Sequence, residues 1–259
     1  MITMRVSSQS MSFSQVDLSQ PTGLQYVPFI MRSGVSLAAN LRQAIQDIPM
    51  LSQGDGRIRV LIDSPVLVVP VQEYDEEKAD VFYRHAFEVS SPSVIKSNVL
   101  PALNTVVLYA VNKDFNSVLC DHYQQVSYLT VMQPVWRQLY NRSFTGSHRK
   151  LFAYFHDGKM DVCAFQQGRF LFSNVFEQSA RMDIVYYLLH VWKLLGMDVH
   201  QDELHIVGDI RERDALQDEL HRYLSNVYFI SPTGEYNRAP ITQIKNLPYD
   251  LITLYIKGR

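Results

Sequence analysis

Residues 151–230 alternate between short apolar runs and segments of helical periodicity, and this order constrains the fold more than any other feature of the sequence. The first three runs are rich in aromatic residues and are separated by the short segments Asp157-Gly158 and Gln166-Gln167-Gly168. Asp-Gly between two apolar runs is a strong signal for a tight β-hairpin turn. The pattern predicts an antiparallel meander of three strands: Leu151 to Phe155, Met160 to Phe165 and Arg169 to Phe176.

The period then changes to that of helices. An apolar stripe predicts one helix, with Ser179 as its N-cap and Gly196 as its stop. A short strand then ends at Gly208, and Asp209 with Glu212 predicts a capping box that opens a second helix. The stripe of the first helix consists of Val185, Leu188, Leu189, Trp192 and Leu195. The strand before Gly208 is Leu204 to Val207, and a further strand, Val227 to Ile230, follows the second helix. The apolar stripe of that second helix consists of Leu216, Leu220, Tyr223 and Leu224. A closing helix is predicted with Pro248 in its first turn, and its stripe consists of Leu247, Leu251 and Leu254.

A meander followed by two right-handed crossovers gives one mixed five-stranded sheet with helices packed against it, the topology of the ribonuclease-H-like fold. The first half of the chain has a looser version of the same pattern. The polar segment Asn141 to Lys150 is the best candidate boundary, dividing the chain into residues 1–145 and 146–259. We therefore predict an α/β protein of two ribonuclease-H-like halves. The elements predicted in the first half are strands at 10–18, 24–31, 57–62, 66–69, 106–111 and 126–131, and helices at 37–45, 75–87 and 135–140.

Composition sets limits on location and partners. The 259 residues carry 24 basic and 26 acidic side chains, a net charge of −2, so there is no overall attraction to nucleic acid or to an anionic membrane. The two cysteines, Cys120 and Cys163, are expected to be buried free thiols in a reducing compartment. The sequence shows neither a signal peptide nor an apolar run approaching the roughly 20 residues of a transmembrane helix. These features predict a cytoplasmic protein.

Four stretches of the second half are similar to an uncharacterised family of Bacteroidetes proteins with the fold of the actin-like ATPases. They read GRFLFSNVFEQS at 168–179, DIVYYLL at 183–189, LLG at 194–196 and ELHIVGDI at 203–210. The resemblance is specific over residues 150–230 and weak before them. It implies a fold and no particular activity. At the level of the fold, the chain also resembles actin-like assembly proteins of bacterial pili and secretion systems.

The resemblance also implies where nucleotide would bind. Actin-like ATPases hold it with an Asp-x-Gly hairpin in each half, where Asp acts through a metal ion and Gly lets backbone N–H groups approach phosphate. In this chain the second-half Asp falls at Tyr154 and the Gly at His156, and the first-half segment 8–15 has neither residue. Gly208-Asp209 keeps one glycine of the pair that makes room for adenosine. The phosphate-binding residues are therefore missing.

The favoured hypothesis is an interaction or scaffold protein without catalytic residues, cofactor or metal. Its partner is an unknown protein, and a homodimer is an expectation from the fold alone. A membrane is not expected as a partner, and nucleic acid is disfavoured. The alternative is an active ATPase or phosphotransferase. In that case Asp157, Gly158, Gly208 and Asp209 are the residues placed to contact nucleotide; otherwise they serve a turn, a strand end and a helix cap.

Three other groups of residues are judged structural. His200 and His205 lack the spacing and further ligands of a metal site, so a surface or hydrogen-bonded role is favoured. Cys120, Asp121 and His122 are consecutive, and because neighbouring residues on a helix point apart, Cys120 and His122 are not expected to form a nucleophilic pair. The basic residues of segment 137–150 are interpreted as a solvated linker, with single-stranded nucleic acid as the less favoured alternative.

Overall fold

The structure is a computed structural model that describes residues 1–52, 56–89, 92–178 and 180–256. The chain divides into two compact units, residues 1–133 and residues 134–259. Across the described ranges, none of the helices combines the length and apolar composition needed to cross a bilayer.

Unit one contains a mixed five-stranded sheet and a smaller antiparallel sheet. Within the described residues, the large sheet has the order β3-β2-β1-β4-β8 and the small one the order β5-β7-β6. The strands are β1 (Ile2–Val6), β2 (Met11–Val16), β3 (Leu24–Phe29), β4 (Arg57–Ile62), β5 (Val66–Pro70), β6 (Ser93–Leu100), β7 (Thr105–Asn112) and β8 (Gln125–Thr130). The helices are α1 (Leu37–Asp47), α2 (Pro49–Ser52), α3 (Ala79–Ala86) and α4 (Lys113–His122), and α5 (Met132–Arg142) leads into unit two.

The strand directions in unit one follow the predicted topology. β1 to β3 form an antiparallel meander, and β4 and β8 are added in parallel to β1. The sheet is covered by a core that includes Met4, Phe13, Leu41 and Val60, all fully buried. This half is therefore a true counterpart of the second, despite its weaker sequence pattern.

Unit two repeats the same arrangement. Its sheet has the order β11-β10-β9-β12-β13, antiparallel through the meander and parallel for the last two strands. The strands are β9 (Lys150–His156), β10 (Lys159–Gln166), β11 (Arg169–Glu177), β12 (Glu203–Gly208) and β13 (Val227–Phe229). The helices are α6 (Arg181–Leu194), α7 (Arg213–Leu220), α8 (Pro232–Glu235) and α9 (Tyr249–Tyr255). The predicted fold of two mixed five-stranded sheets with flanking helices is confirmed.

Several local predictions need correction. Strand β1 was not predicted, and neither was β6, whose polar residues hide the alternation of an edge strand. Asp209 does not cap α7: the helix begins at Arg213, and its N-cap is Glu212 in a left-handed conformation. Both cysteines are free as expected, but Cys120 is exposed because it lies on the outer side of α4.

Two predictions fall wholly or partly on residues that the structure does not describe. Ser179, the expected N-cap of α6, lies outside the described residues, and so do the first two residues of the expected turn Gly54-Asp55-Gly56. The described cap of α6 is Ala180, whose backbone N–H donates to an oxygen of Asp183.

The candidate boundary at 141–150 lies inside unit two. Helix α5, which precedes this segment, packs against the meander of that unit. The Trp136 ring lies edge-on to Phe170 with centroids 6.0 Å apart, and Tyr140 lies against Phe165 at 6.5 Å. The aromatic contacts explain why the chain joins unit two before the polar segment is reached.

Candidate functional site

The four residues named as nucleotide contacts meet at one edge of the sheet of unit two. Asp157 and Gly158 form the two-residue turn between β9 and β10, with φ of 45° and 76°, which is the geometry that an Asp-Gly hairpin favours. Gly208 ends β12 and pairs with Phe155 of the parallel strand β9. Parallel strands present their carboxyl ends at the same edge, so Gly208 and the exposed Asp209 lie near the hairpin.

Tyr154 occupies the position of the missing Asp and is buried in a polar contact. Its hydroxyl donates to Oδ2 of Asp250 at 2.8 Å, and the backbone N–H of Asp250 donates back to the hydroxyl at 3.3 Å. Asp250 lies on α9 and is fully buried. The position that would present a carboxylate to a metal thus carries a ring fixed to the protein's own helix.

His156 occupies the position of the missing Gly and is bound by two carboxylates. Its Nδ1 lies 3.0 Å from an oxygen of Asp157, and its Nε2 lies 2.8 Å from an oxygen of Asp161. Burial alone would lower the pKa of the imidazole, but the hydrogen bonds to Asp157 and Asp161 outweigh it and raise the pKa to about 9. At neutral pH both ring nitrogens are therefore protonated, and the ring has no lone pair to offer a metal ion.

This histidine predicts a pH dependence of stability. Its pKa in the folded protein, about 9, lies above the ordinary 6.5, so the stabilisation is complete below pH 6.5 and is lost as the pH rises through 9. Between those limits the free energy of unfolding should fall by about 3 kcal/mol more in the unmodified protein than in His156→Gln. Urea unfolding of both proteins at closely spaced pH values measures this difference in the free energy of unfolding.

A matched control is His85→Gln on α3, where the histidine is exposed. Its stability should follow the unmodified protein throughout the pH range. Parallel pH profiles for the unmodified protein and His156→Gln would show that the imidazole is not charged by its two carboxylates.

The corresponding hairpin of unit one also uses its polar atoms internally. The hydroxyl oxygen of Ser7 accepts the backbone N–H groups of Gln9 at 3.1 Å and Ser10 at 2.9 Å. The N–H of Ser7 donates to the carbonyl of Ser10 at 2.9 Å. The N–H groups of Gln9 and Ser10 lie in the turn whose N–H groups would contact phosphate in an actin-like ATPase. Here they are already hydrogen-bonded to the buried side chain of Ser7.

A groove lies beside this turn, at the carboxyl edge of the large sheet of unit one. Its volume is about 760 Å³, and polar and apolar groups contribute to its lining in nearly equal measure. Asn40 is buried in the wall and holds the loop before α1 through bonds to Arg32, Val35 and Ser36. Ligands of open α/β sheets bind at this edge. The groove therefore has the position and size of a binding site within unit one.

The basic segment 137–150 is only in part the solvated linker that the sequence predicted: residues 144–148 are exposed, whereas the basic side chains on either side of them make internal contacts. Lys150 is buried, and its ammonium group donates to Thr145 Oγ1 at 2.6 Å and lies 3.3 Å from Glu203 Oε2. Arg149 donates to a backbone carbonyl just beyond α6 at 2.6 Å. The tertiary fold brings Glu203 and the carbonyl beyond α6 to these two cations. Their positive charges are therefore largely engaged within unit two.

His205 is a hydrogen-bonded core residue, as predicted. Its ring is stacked between Phe152 and Tyr228, with centroids 5.1 Å apart in each case, and its Nε2–H donates to Glu203 at 2.7 Å. Burial lowers the pKa of His205 to about 4, so the ring is neutral at physiological pH. His200 is exposed and contacts Ser225 instead.

The paired sheets define the class of protein. Two sheets of the same topology, each with its first hairpin at the carboxyl edge, are the fold of the actin-like ATPases. The chain belongs to the family described as protein of unknown function (DUF3822), whose model matches residues 1–227. This confirms the predicted membership of an uncharacterised family with that fold.

Known structures agree with this assignment. A Bacteroides thetaiotaomicron protein with actin-like ATPase fold and unknown function is 24% identical, with a TM-score of 0.82 over 94% of this chain and 95% of that one. The PilM-PilN type IV pilus biogenesis complex contains a chain 11% identical, with a TM-score of 0.56 over 90% of this chain and 88% of that one. No curated protein matches the sequence. Identities this low establish the fold alone.

The sequence anticipated only part of the site. It located the hairpin residues Asp157 and Gly158 and the substitutions at Tyr154 and His156. It missed the carboxylates that bind the two rings. The only sequence signal for Asp161 is its place five residues after His156 on a predicted return strand, and Asp250 carries none.

Proposed function

We propose that this chain is a non-catalytic interaction module, an actin-like fold that retains its scaffold without the nucleotide chemistry. The observation that carries the proposal is that, in both hairpins, the groups at the phosphate-binding positions are already hydrogen-bonded within the protein. In unit two Tyr154 and His156 replace the phosphate-binding pair and are hydrogen-bonded to carboxylates of the same unit, and in unit one Ser7 engages the N–H groups of the turn.

Electrostatics support the same view. Asp157, Asp161 and Asp250 surround a single imidazolium at the hairpin of unit two. A triphosphate placed beside them would meet like charges, which repel one another strongly where water is excluded. Metal binding would have to compete with the proton of His156 for the carboxylate of Asp157.

The fold is compatible with a role in binding proteins. A chain of the PilM-PilN type IV pilus biogenesis complex shares it. The analogy concerns the fold only and identifies no partner. In unit one the groove of about 760 Å³, lined by polar and apolar groups alike, is where such a partner segment would fit.

The alternative, an active ATPase or phosphotransferase, has one observation in its favour. Asp157, Gly158, Gly208 and Asp209 are gathered at one sheet edge. If they bound nucleotide, Asp157 would supply the metal ligand and Gly208 the room for adenosine.

Thermal unfolding with nucleotide separates these two functions. A ligand at 100 times its dissociation constant adds about 2.7 kcal/mol of stability, which corresponds to several degrees in Tm for a chain of this size. We expect a shift below about 1 °C with millimolar ATP or ADP and magnesium, and no phosphate release above the buffer rate. Asp157→Asn is the matched variant. A shift of several degrees that Asp157→Asn abolishes would overturn the proposal by showing nucleotide binding, and phosphate release above the buffer rate would then establish the ATPase alternative.

A further inference from the structure

Strand β6 forms one edge of the small sheet of unit one. In an antiparallel pair, residues that exchange hydrogen bonds with the neighbouring strand alternate with residues whose backbone groups point away from it. The N–H of Lys113 donates to the carbonyl of Pro92 at 2.9 Å, which fixes this alternation along the pairing of β6 with β7. The residues of β6 whose N–H and C=O groups point away from β7 are therefore Ser93, Ile95, Ser97 and Val99.

Most of these outward groups are unpaired. Arg84 on α3 donates to the carbonyl of Ser93 at 3.3 Å. In the parts of the chain that the structure describes, the outward groups of Ile95, Ser97 and Val99 have no hydrogen-bond partner. A row of unpaired donors and acceptors on a strand edge is a template for a further strand. We call these three residues the open edge.

The other antiparallel edge strands of the described residues are protected. β3 and β5 each have a proline at an outward position, Pro28 and Pro70, where no N–H is available. β11 pairs irregularly with β10, and the Asn174 side chain accepts the outward N–H of Val175 at 2.9 Å. β6 has neither device, and the ammonium group of Lys96 lies over an aromatic ring of β8, 5.4 Å from its centroid. The open edge thus lacks the protection that the other edges have.

Apolar side chains lie beside the open edge, on the face of the sheet that α3 covers. Val99 shares this face with Ile95, which packs in the small core with Tyr83 of α3. The Val99 residue is nevertheless 59% exposed. Val81 is 66% exposed and lies one turn before Arg84, on the side of α3 that reaches β6.

The surface around α3 is acidic. Residues 73–88 contain six acidic and two basic side chains, a net charge of −4. If two copies of β6 paired about a two-fold axis, both α3 helices would lie on one face of the joined sheet, and like charges would oppose the contact. The charge therefore favours a basic strand over a second copy. The exposed carboxylates belong to Glu73, Glu76, Glu77, Asp80 and Glu88.

We propose that the open edge binds an extended, basic segment of a partner protein, which adds a strand antiparallel to β6. Backbone groups of the segment pair with those of the open edge. Lys or Arg side chains at alternate positions face α3, so that their aliphatic stems cover Val81 and Val99 while their charged ends reach the carboxylates. The intervening side chains are uncharged, because they face Lys96 on the other side of the sheet.

The edge begins at the groove of unit one, which Ser93 also lines. The inference therefore rests on the proposed function and names the chemistry of the partner segment. The two fail separately. Nucleotide binding at the hairpins would overturn the proposed function and leave peptide binding at β6 unchanged, whereas an edge that binds no peptide leaves the hairpins as described.

A labelled peptide of about ten residues that alternates Lys and Thr is the probe. Fluorescence anisotropy with the full chain should give a dissociation constant between about 10 and about 500 µM, because the contact is small, and added salt should weaken it. A peptide that alternates Glu and Thr should bind at least about tenfold more weakly.

Backbone methylation tests the strand pairing. In an antiparallel pair, the peptide residues that bond to β6 have their side chains on the α3 face, so they are the lysines. N-methylation of the lysines should abolish binding, and N-methylation of the threonines should preserve it. Binding that survives methylation of the lysines would overturn the proposal.

Ser97→Pro removes an outward N–H and leaves the hydrogen bonds to β7 intact. It should weaken the peptide at least about tenfold. The control is Val68→Pro, at an outward position of β5 on the opposite edge of the same sheet, and it should leave binding unchanged. Circular dichroism verifies that both variants are folded.

Charge reversal on the surface tests the acidic contribution without altering a strand. The double variant Glu76→Lys, Glu77→Lys should weaken the Lys-Thr peptide at least about tenfold. Asp214→Lys, Asp218→Lys makes the same change in charge at exposed positions of α7 and should have little effect.

Hydrogen exchange locates the contact in the unmodified protein. The amides of the open edge should exchange rapidly in the free chain and at least about tenfold more slowly with the peptide, while the amides of Val94, Lys96 and Asn98 are protected in both states. Unchanged exchange at the open edge would overturn the proposal. So would protection that rises with protein concentration alone, together with a dimer that Ser97→Pro abolishes, which would assign the edge to a second copy.

Discussion

Gly208→Ala is expected to destabilise the protein by at least about 4 kcal/mol. Gly208 has φ of 108°, a conformation that residues with a side chain rarely adopt. An added Cβ would lie 2.0 Å from the backbone oxygen of Phe155 on the central strand β9. That oxygen also accepts the N–H of Asp209 at 2.9 Å, so β9 cannot move aside without losing a hydrogen bond.

The matched control is Gly196→Ala. Gly196 also has positive φ, at 61°, but nothing lies within 4 Å of an added Cβ. This variant should cost only about 1 kcal/mol, the usual penalty for a left-handed alanine. The difference between the variants isolates the close approach of the two strands.

Urea unfolding followed by tryptophan fluorescence measures both effects. The chain has two tryptophans, Trp136 and Trp192, and both lie in unit two. Equal stabilities for Gly208→Ala and Gly196→Ala would contradict the strand packing described here. A large difference would show that strand packing alone explains a glycine at position 208, without a role in making room for adenosine.

Glu235→Ala is the second large effect, with an expected loss of about 3 kcal/mol. The Glu235 side chain is only 6% exposed. It accepts hydrogen bonds from Gln138 at 3.0 Å, Arg142 at 3.0 Å and the hydroxyl of Tyr249 at 2.8 Å. Burial raises the pKa of Tyr249 well above its usual value, so the hydroxyl keeps the proton that it donates. The substitution removes the shared carboxylate and leaves the donors of Gln138 and Arg142 on α5 and of Tyr249 on α9 without their acceptor.

Partial exposure limits the loss. The Arg142 side chain is 33% exposed, so water can replace part of its interaction. Glu235→Gln keeps an oxygen acceptor and should cost less than Glu235→Ala. The surface control is Asp80→Ala, where the ion pair with Arg84 is exposed, so its loss should have little effect on stability. Chemical unfolding of the three variants tests the order, and a Glu235→Ala variant as stable as Asp80→Ala would contradict the network.

The interpretation of segment 137–150 shows where reasoning from sequence reached its limit. A run of bases with few apolar residues is typical of a solvated loop, and the segment contains no carboxylate to pair with Arg142 or Lys150. Their carboxylate partners, Glu235 and Glu203, lie 93 and 53 residues further along the chain. Spacing that large is invisible to local patterns.

The sequence by itself determined the strands and helices of the second half and the topology that follows from their order. Hairpin turns such as Asp157-Gly158 and apolar stripes such as that of α6 are encoded by neighbouring residues, so local steric and hydrophobic rules predict them. It also showed that Tyr154 and His156 stand where phosphate-binding residues would be.

Only the tertiary structure decided what those two side chains do. Tyr154 binds Asp250, 96 residues away, and His156 is charged because the return strand places Asp161 against its second nitrogen. The left-handed Glu212 before α7 and the open edge of β6 were likewise settled by packing. Burial and hydrogen-bond partners depend on residues that the fold brings together, and these set the protonation and the exposure of each group.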